Sequence, residues 1–167
     1  MVEKMGPVTL ENVRLIFRNF SGAEGQFNRA GARNFAIALD PEIARQMRAD
    51  GWNVKQLRVR EEGDVPQDYL EVTVNYSSGK PPRIVTITSR GRTNVTEDTV
   101  MILDWAEIQT ADLILNPYQW EVNGNSGVKA YLKSLFVTIR EDELDLKYAG
   151  VPDSPVAGVV SNTPWEE

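Results

Sequence analysis

The sequence contains no cysteine and no histidine. These absences exclude disulfide bonds, thiolate nucleophiles, Ser-His triads and zinc sites of the usual ligand types. No apolar run approaches the roughly 20 residues that a membrane-spanning helix needs, and the opening MVEKMGPVTLENV lacks the apolar core of a signal peptide. We therefore expect a protein of the cytoplasm that carries no cofactor.

The glycine-rich phosphate-binding motifs GxxxxGK[ST] and GxGxxG are also absent. Paired acids occur at residues 61–64 and 97–98, where solvated turns are the simpler interpretation. A metal site built only from carboxylates, as in a Mg²⁺-dependent nuclease, stays open as an alternative because its ligands could converge from distant segments. The sequence favours neither a metal site nor an enzymatic activity.

The charge of the 167-residue chain is unevenly distributed. The net charge is −6, yet residues 141–167 hold seven acids and one base, so residues 1–140 are neutral with 17 of each. Within this neutral body the bases form three groups that contain few or no acids: Arg14, Arg18, Arg29 and Arg33; Lys80, Arg83, Arg90 and Arg92; and Lys129, Lys133 and Arg140. Local positive charge is sufficient to attract phosphates, although a solvated surface of mixed charge is the plain alternative.

Short strand-like runs separated by Gly- and Pro-rich turns dominate the chain. They cover residues 8–20, 33–39, 56–60, 69–76, 83–88, 100–105 and 111–115, followed by a hairpin at 118–139. Helices are expected at residues 41–50, where Asp40 is the N-cap and Pro41 the first residue, and at 142–149. The pattern predicts a mainly β protein, a small Greek-key barrel or sandwich with one or two short helices.

A change of composition divides the chain near Gly150. Residues 150–167 are rich in Pro, Gly, Ser and Val and show no periodicity. We predict one domain over residues 1–149 and a flexible tail over 150–167.

One stretch, YQWEVNGNSGVKAYLK, predicts a β-hairpin. Period-2 alternation places three side chains of its second strand on one polar face: Lys129, Tyr131 and Lys133. We expect a five-residue loop, NGNSG, with Val122 opposite Val128. In that register Tyr118 and Trp120 lie on the other, apolar face, and a slip of one residue would reverse their assignment.

A row of lysine, aromatic ring and lysine suits a single-stranded nucleic acid, because the ring stacks on a nucleobase while the lysines lie beside phosphates. The loop at residues 21–32 offers a second such combination. Cations and rings alternate in and around it, at Arg18, Phe20, Phe27, Arg29 and Arg33. A long basic loop can clamp a strand, although the two phenylalanines could equally anchor the loop to the core.

The stretch YQWEVNGNSGVKAYLKSLFVTI, followed by DELDLKYA, resembles the C-terminal half of phage-encoded single-stranded DNA-binding proteins with an oligonucleotide-binding (OB) fold. The earlier stretch NVRLIFRNFSGAEGQFNRAGARNFAIAL is similar to their first two strands and intervening loop. The resemblance covers most of residues 8–149. It implies an OB-fold-like barrel that binds displaced single strands, without strong sequence preference, during phage DNA replication or recombination in the cytoplasm of a bacterial host.

Carried over by position, the resemblance implies these groove residues: Arg18, Phe27, Arg29, Arg33, Trp120, Lys129, Tyr131 and Lys133. On charge and strand alternation we add four arginines that could extend a phosphate track: Arg58, Arg60, Arg90 and Arg92. The chain ends in Trp165, Glu166 and Glu167, which match in outline an acidic, aromatic tail that engages replication or recombination proteins.

Two other hypotheses are compatible with the sequence. The same strands could belong to a phage structural or assembly protein that acts only through protein contacts. The edge strands of such a barrel could also pair two copies into a homodimer.

Overall fold

The computed structural model describes residues 5–26, 28–59 and 61–152. Over these residues the chain forms nine β-strands, two short α-helices and one 3₁₀ helix. In chain order they are β1 (Val8–Leu10), β2 (Arg14–Asn19), β3 (Arg33–Leu39), α1 (Pro41–Ala49), β4 (Val54–Gln56), β5 (Asp68–Val74), β6 (Arg83–Thr88), β7 (Gly91–Val95), the 3₁₀ helix (Val100–Asp104), β8 (Ile108–Val122), β9 (Asn125–Ile139) and α2 (Glu143–Lys147).

Strand β9 organises the sheet. It pairs antiparallel with β8 along one edge and parallel with β5 and then β6 along the other. The path through the sheet is β1-β8-β9-β5-β3-β2, with β4 beside β5 and β7 beside β6. Only residues 11–13 join β1 to β2, so the two ends of the path must approach each other and the sheet must curl.

The curled sheet is an open barrel. The described strands form no ladder between β1 and β2, and the gap is bridged by the Val13 N–H, which donates to the Ala111 carbonyl at 2.9 Å. The predicted fold class, a mainly β, OB-fold-like barrel with short helices, is therefore confirmed.

Alternate residues of β5 and β9 line the core. The buried side chains are Leu70, Val72 and Val74 from β5 and Val128, Ala130, Leu132, Leu135 and Val137 from β9. The alternation of buried and exposed side chains along β9 shifts by one residue at Lys133, because a β-bulge interrupts the ladder with β8 there. The rings of Phe20 and Phe35 stack at 4.9 Å inside this core. Truncating Phe35 to Ala should lower the free energy of unfolding by about 3–5 kcal/mol.

Helix α1 follows its sequence signals. The Asp40 carboxylate caps it by accepting from the Glu42 N–H at 3.2 Å, Pro41 begins it, and Gly51, with φ of +98°, follows its end. Trp52 comes next and is buried, as expected of a packing residue. The segment then runs beside β9, where the Val128 N–H donates to the Gly51 carbonyl at 2.9 Å.

The prediction of a single strand over residues 8–20 was wrong. The chain turns at Asn12, with φ of +54°, and separates β1 from β2. A second irregularity, at Phe17 with φ of +50°, shifts the register of β2 against β3. As a result Leu15 and Phe20 are both buried while Phe17 is exposed, which alternation alone would not give.

Three further strand predictions needed correction. A strand was predicted over residues 56–60, but β4 covers Val54–Gln56 and residues 57–59 lie outside any strand. Residues 100–105 are an apolar run that suggested a strand, but Val100–Asp104 is a 3₁₀ helix that buries Val100 and Leu103, three residues apart. Strand β8 is continuous through Pro117, where the sequence suggested two strands. A proline is tolerated there because the ladder on the outer edge of β8 ends at Leu115, so no neighbour needs the missing N–H.

Candidate nucleic-acid interface

The hairpin of β8 and β9 has a tighter turn than predicted. Asn123 and Gly124 form a two-residue turn, with φ of +50° and +83°, and Val122 pairs with Asn125. Asn-Gly is the pair that such turns favour, because both residues tolerate positive φ. The expected five-residue loop and the pairing of Val122 with Val128 were therefore wrong.

The corrected register changes which side chains share a face. Tyr118 lies opposite Lys129 and Trp120 lies opposite Gly127. Because the shift is an odd number of residues, both aromatics move to the face that carries Lys129 and Tyr131. The assignment of Tyr118 and Trp120 to an apolar core face was wrong.

The aromatic face of the hairpin is exposed and ordered by ring contacts. The rings of Tyr118 and Tyr131 meet edge to face at 5.9 Å, and the Lys129 Nζ lies 5.2 Å from the centre of the Tyr131 ring. Tyr118 is 55% exposed and Trp120 is 36% exposed. Rings this accessible, next to a cation, can stack on nucleobases.

A groove of about 460 Å³ runs from this face to the first loop. Four residues predicted from the sequence line it: Arg29, Arg33, Lys129 and Tyr131. The rest of its lining is largely polar and includes Asn28, Asn34, Thr73, Asn75 and Ser77. The groove therefore combines a ring, three cations and hydrogen-bonding side chains over a floor made by β3, β5 and β9.

Asparagine side chains hold the first loop in place, since Asn19 bonds both the N–H and the carbonyl of Ala23 and Asn28 lies among the loop carbonyls. The two N–H groups of the Asn28 amide are shared among three carbonyls that lie within hydrogen-bonding distance, those of Ala23 at 2.9 Å, Arg29 at 3.1 Å and Ala32 at 3.0 Å. The Gly31 N–H closes the loop by donating to the Gly22 carbonyl at 2.8 Å. This ordering places the exposed Arg29 at the rim of the groove, where its guanidinium makes no ion pair with any described residue.

Arg33 connects the groove to the core. Its guanidinium donates to the Phe20 carbonyl at 2.8 Å and reaches Glu97 at 3.5 Å, and its side chain is only 19% exposed. It also lies 5.6 Å from the centre of the Tyr76 ring. Burial raises the pKa of the Tyr76 hydroxyl despite this nearby positive charge. Arg33 is thus a fixed charge at the groove wall.

One acid lines the groove. The Glu71 carboxylate lies between the hairpin and β4, where the Lys55 Nζ reaches it at 3.1 Å. The pair is half exposed, so it adds little to stability. Lys55 offsets the charge of Glu71 and Glu97 offsets that of Arg33, so Arg29 and Lys129 are the groove cations that pair with no described acid.

Several predicted residues lie elsewhere. The Arg18 guanidinium donates to the carbonyls of Leu103 at 2.9 Å and Ala106 at 2.7 Å, so it fastens the 3₁₀ helix to β2. Arg58 lines a different cavity with Phe17. Lys133 is exposed at the bulge of β9 but does not line the groove.

Arg90 and Arg92 belong to the β6–β7 hairpin. Arg92 lies opposite Ile87, which pairs with Thr138, seven residues beyond Tyr131 on β9. At about 3.3 Å per residue the separation along the strand is about 23 Å. The structure therefore does not bring these arginines to the groove. Five predicted residues lie outside the described part of the chain: Phe27, Arg60, Trp165, Glu166 and Glu167.

Sequence reasoning left Tyr118 out of the site, although the signal was present. The dipeptide Asn123-Gly124 predicts a two-residue turn, and that turn alone sets the register that exposes Tyr118 beside Lys129. The contribution of Asn34 and Thr73 to the groove could not be found this way, because it arises from the pairing of β3 with β5.

Comparison with known proteins shows which family the chain belongs to. The sequence profile of the family described as "Putative phage ssDNA-binding domain" matches residues 2–164. The chain belongs to this family. Its predicted function, binding of single-stranded DNA, is confirmed at the level of the family, which favours DNA binding over a purely structural role.

Two solved structures from bacteriophage Enc34 share the fold. The C-terminally truncated single-stranded DNA-binding protein is 12% identical, with a TM-score of 0.51, and the same protein in complex with single-stranded DNA is 10% identical, with a TM-score of 0.53. Each alignment covers 82% of this chain and 88% of the other. No curated protein sequence matches the chain significantly.

Two features are absent from the described residues. No group of three or more acidic side chains is placed to hold a metal ion. None of the helices in this part of the chain is both long and apolar enough to cross a membrane.

Proposed function

We propose that a DNA single strand lies in the groove between the first loop and the β8–β9 hairpin. Its bases stack on the rings of Tyr118, Trp120 and Tyr131, and its phosphates lie near the cations of the groove: Arg29, Arg33 and Lys129. The observation that carries the proposal is the exposure of Tyr118 and Trp120 on the face that also carries Lys129 and the partly buried Tyr131. Stacking on a ring accepts any base, so binding has little sequence preference.

This binding protects displaced strands while phage DNA is replicated or recombined in the cytoplasm of the bacterial host. The membership of the chain in a phage DNA-binding family supports this role. The protein acts by occupancy rather than by catalysis, and a strand held against the groove is sequestered from nucleases and from reannealing.

We assign binding to residues 1–149 and a regulatory role to the tail, residues 150–167. Trp165, Glu166 and Glu167 contact replication or recombination proteins, and the acidic end competes with DNA for the groove. Deleting residues 150–167 should then strengthen binding to oligo-dT at low salt, since repulsion between like charges is removed. An unchanged affinity would remove the competitor role.

We also propose that two copies of the chain can pair through their edge strands into a homodimer, since an unpaired strand edge offers free N–H and carbonyl groups. The molar mass in solution, measured by light scattering after size-exclusion chromatography, tests this proposal. A mass equal to that of one chain at every protein concentration would refute it.

The central test of the groove is fluorescence anisotropy with labelled oligo-dT and a matched duplex. Tyr131→Ala should weaken single-strand binding by about 1–3 kcal/mol, since one stacking platform is removed. Tyr148→Ala is the matched control, because Tyr148 is half exposed on the segment after α2 and does not line the groove. Wild-type affinity in Tyr131→Ala, with the fold intact by circular dichroism, would refute this site.

A further inference from the structure

A second aromatic pair, with one exposed and one partly buried ring, lies on the same sheet, away from the hairpin. Phe17 is 58% exposed and its ring meets the ring of Tyr69 edge to face, with centroids 5.6 Å apart. Phe17 also has φ of +50°, a conformation that bulky residues rarely adopt. Backbone strain of this kind persists only where the surrounding structure enforces it, and here it holds a large ring out of the core.

Cations flank this pair. One row of directly opposed residues crosses four strands and consists of Arg14, Ala38, Tyr69 and Lys55. Opposed residues of antiparallel strands share a face, so Arg14 and Lys55 lie on the face that carries Tyr69. Lys55 is paired with Glu71, and Arg14 makes no ion pair with any described residue. Arg58 lines an open cavity of about 850 Å³ together with Phe17, and the acid Asp64 lines the same cavity.

The second pair lies on the same face of the sheet as the hairpin groove. Tyr69 and Thr73 lie on the same face of β5, four residues or about 13 Å apart, and Thr73 pairs with Tyr131. The neighbouring positions on β3 are Ala36 and Ala38, whose small side chains project little above the sheet between the two sites. Glu71, between the two ends, is neutralised by Lys55.

We propose that the single strand continues from the hairpin groove along β5 to Phe17 and Tyr69, which form a second stacking platform. Arg14 and Arg58 lie beside the phosphates there. This inference rests on the proposed function, because the strand must first occupy the groove at Tyr131. The second platform lengthens the footprint within the range of about 4–16 nucleotides that single OB folds cover.

The test is a length series of oligo-dT, of about 4, 8, 12 and 16 nucleotides, measured by anisotropy with three variants. Phe17→Asn removes the ring and keeps a residue that tolerates positive φ, so the fold should survive. We expect Phe17→Asn to weaken binding of the long oligonucleotides about 5- to 100-fold and to leave the shortest one unchanged. Tyr131→Ala should weaken binding at every length, and Trp105→Ala, which removes an exposed ring that lines neither cavity, should have no effect.

The outcomes separate the two proposals. If Phe17→Asn binds long oligonucleotides like the wild type while Tyr131→Ala is weakened, the second platform is refuted and the groove stands. If Tyr131→Ala has no effect at any length, the proposed groove itself fails.

Should Phe17→Asn not fold, the double variant Arg14→Gln, Arg58→Gln replaces it. That variant should reduce the salt dependence of binding only for long oligonucleotides, by about 0.7 in slope for each phosphate that is no longer neutralised. An unchanged slope would refute the platform.

Discussion

The indole of Trp120 lies directly against the backbone of Gly127 on the opposite strand. A Cβ atom added at position 127 would come 2.8 Å from the ring Cζ2 and 3.1 Å from the ring nitrogen. Such contacts are too close for carbon atoms, so the ring can occupy this position only because Gly127 has no side chain. The hairpin thereby holds a large aromatic flat on its surface, where a nucleobase can reach it.

Gly127→Ala should displace the Trp120 ring and weaken binding of oligo-dT while the protein stays folded, because a half-exposed ring can swing away from the added methyl group. The quenching of tryptophan fluorescence by oligo-dT should fall in parallel. Ser126→Ala, one residue earlier and on the other face of β9, is the matched control and should behave like the wild type. Undiminished quenching and affinity in Gly127→Ala would show that the position of this ring is not needed.

Lys129→Gln should affect the salt dependence of DNA binding more than it affects the stacking of nucleobases on the rings. Lys129 makes no ion pair with any described residue, and it stands between Trp120 and Tyr131 on the aromatic face. With one phosphate fewer neutralised, the slope of log K against log salt should become shallower by about 0.7. Titrations of oligo-dT at several salt concentrations measure this slope. Lys147→Gln, on α2, is the control, and equal slopes for the two variants would contradict the assignment.

Arg18→Gln should lower stability rather than DNA affinity. The guanidinium satisfies the carbonyls of Leu103 and Ala106, and its removal leaves partly buried acceptors without donors. We expect the free energy of unfolding, measured with urea, to fall by about 1–3 kcal/mol. Affinity for oligo-dT well below the unfolding transition should be unchanged. A large decrease in affinity with normal stability would instead return Arg18 to the groove.

Ser89→Ala should raise the pKa of Glu141. The Ser89 hydroxyl and N–H each donate to this carboxylate at 2.6 Å, and these hydrogen bonds hold its pKa below the ordinary value. A carboxyl group whose pKa is lowered on folding stabilises the protein above its unfolded-state pKa, and this contribution disappears as the pH falls through the folded-state pKa. Carboxyl chemical shifts measured through an NMR pH titration should show the change in Ser89→Ala.

The hydrogen bonds between Ser89 and Glu141 also predict a pH-dependent difference in stability between the wild type and Glu141→Gln. Glu141→Gln should be less stable than the wild type at neutral pH, and the two unfolding midpoints should converge in acid, where the wild-type carboxyl is also protonated. A difference that persists unchanged at low pH would mean that the interaction between Ser89 and Glu141 does not depend on the charge.

Local signals accounted for much of the fold. The N-cap Asp40, Pro41 and Gly51 predicted α1 to within one residue, and β6 was predicted with its observed bounds. The failures occurred where distant contacts override the local pattern. Residues 100–104 form a 3₁₀ helix because Arg18 binds the Leu103 carbonyl within it and the Asp104 carboxylate accepts from the Phe20 N–H at 2.6 Å. No neighbour in sequence signals those partners.

The candidate site was predictable in part. Lys129 and Tyr131 were found by alternation on one strand, and Arg29 and Arg33 by their place around a glycine-rich loop. That these four residues line one groove depends on β5, which pairs with β3 on one side and β9 on the other. The hairpin register then decided which face carries Tyr118 and Trp120, since side chains alternate with a period of two and an odd shift exchanges the faces.

The amino-acid sequence by itself determined the chemistry available to this protein: no thiol or imidazole, clustered arginines and lysines, and aromatic residues within β-strands. The tertiary structure alone decided which cations remain accessible to phosphates and which, like that of Arg18, are occupied by carbonyl groups. The physical reason is that composition and period are local properties of the chain. The free energy of placing a charge or a ring depends on partners that only the curled sheet brings within reach.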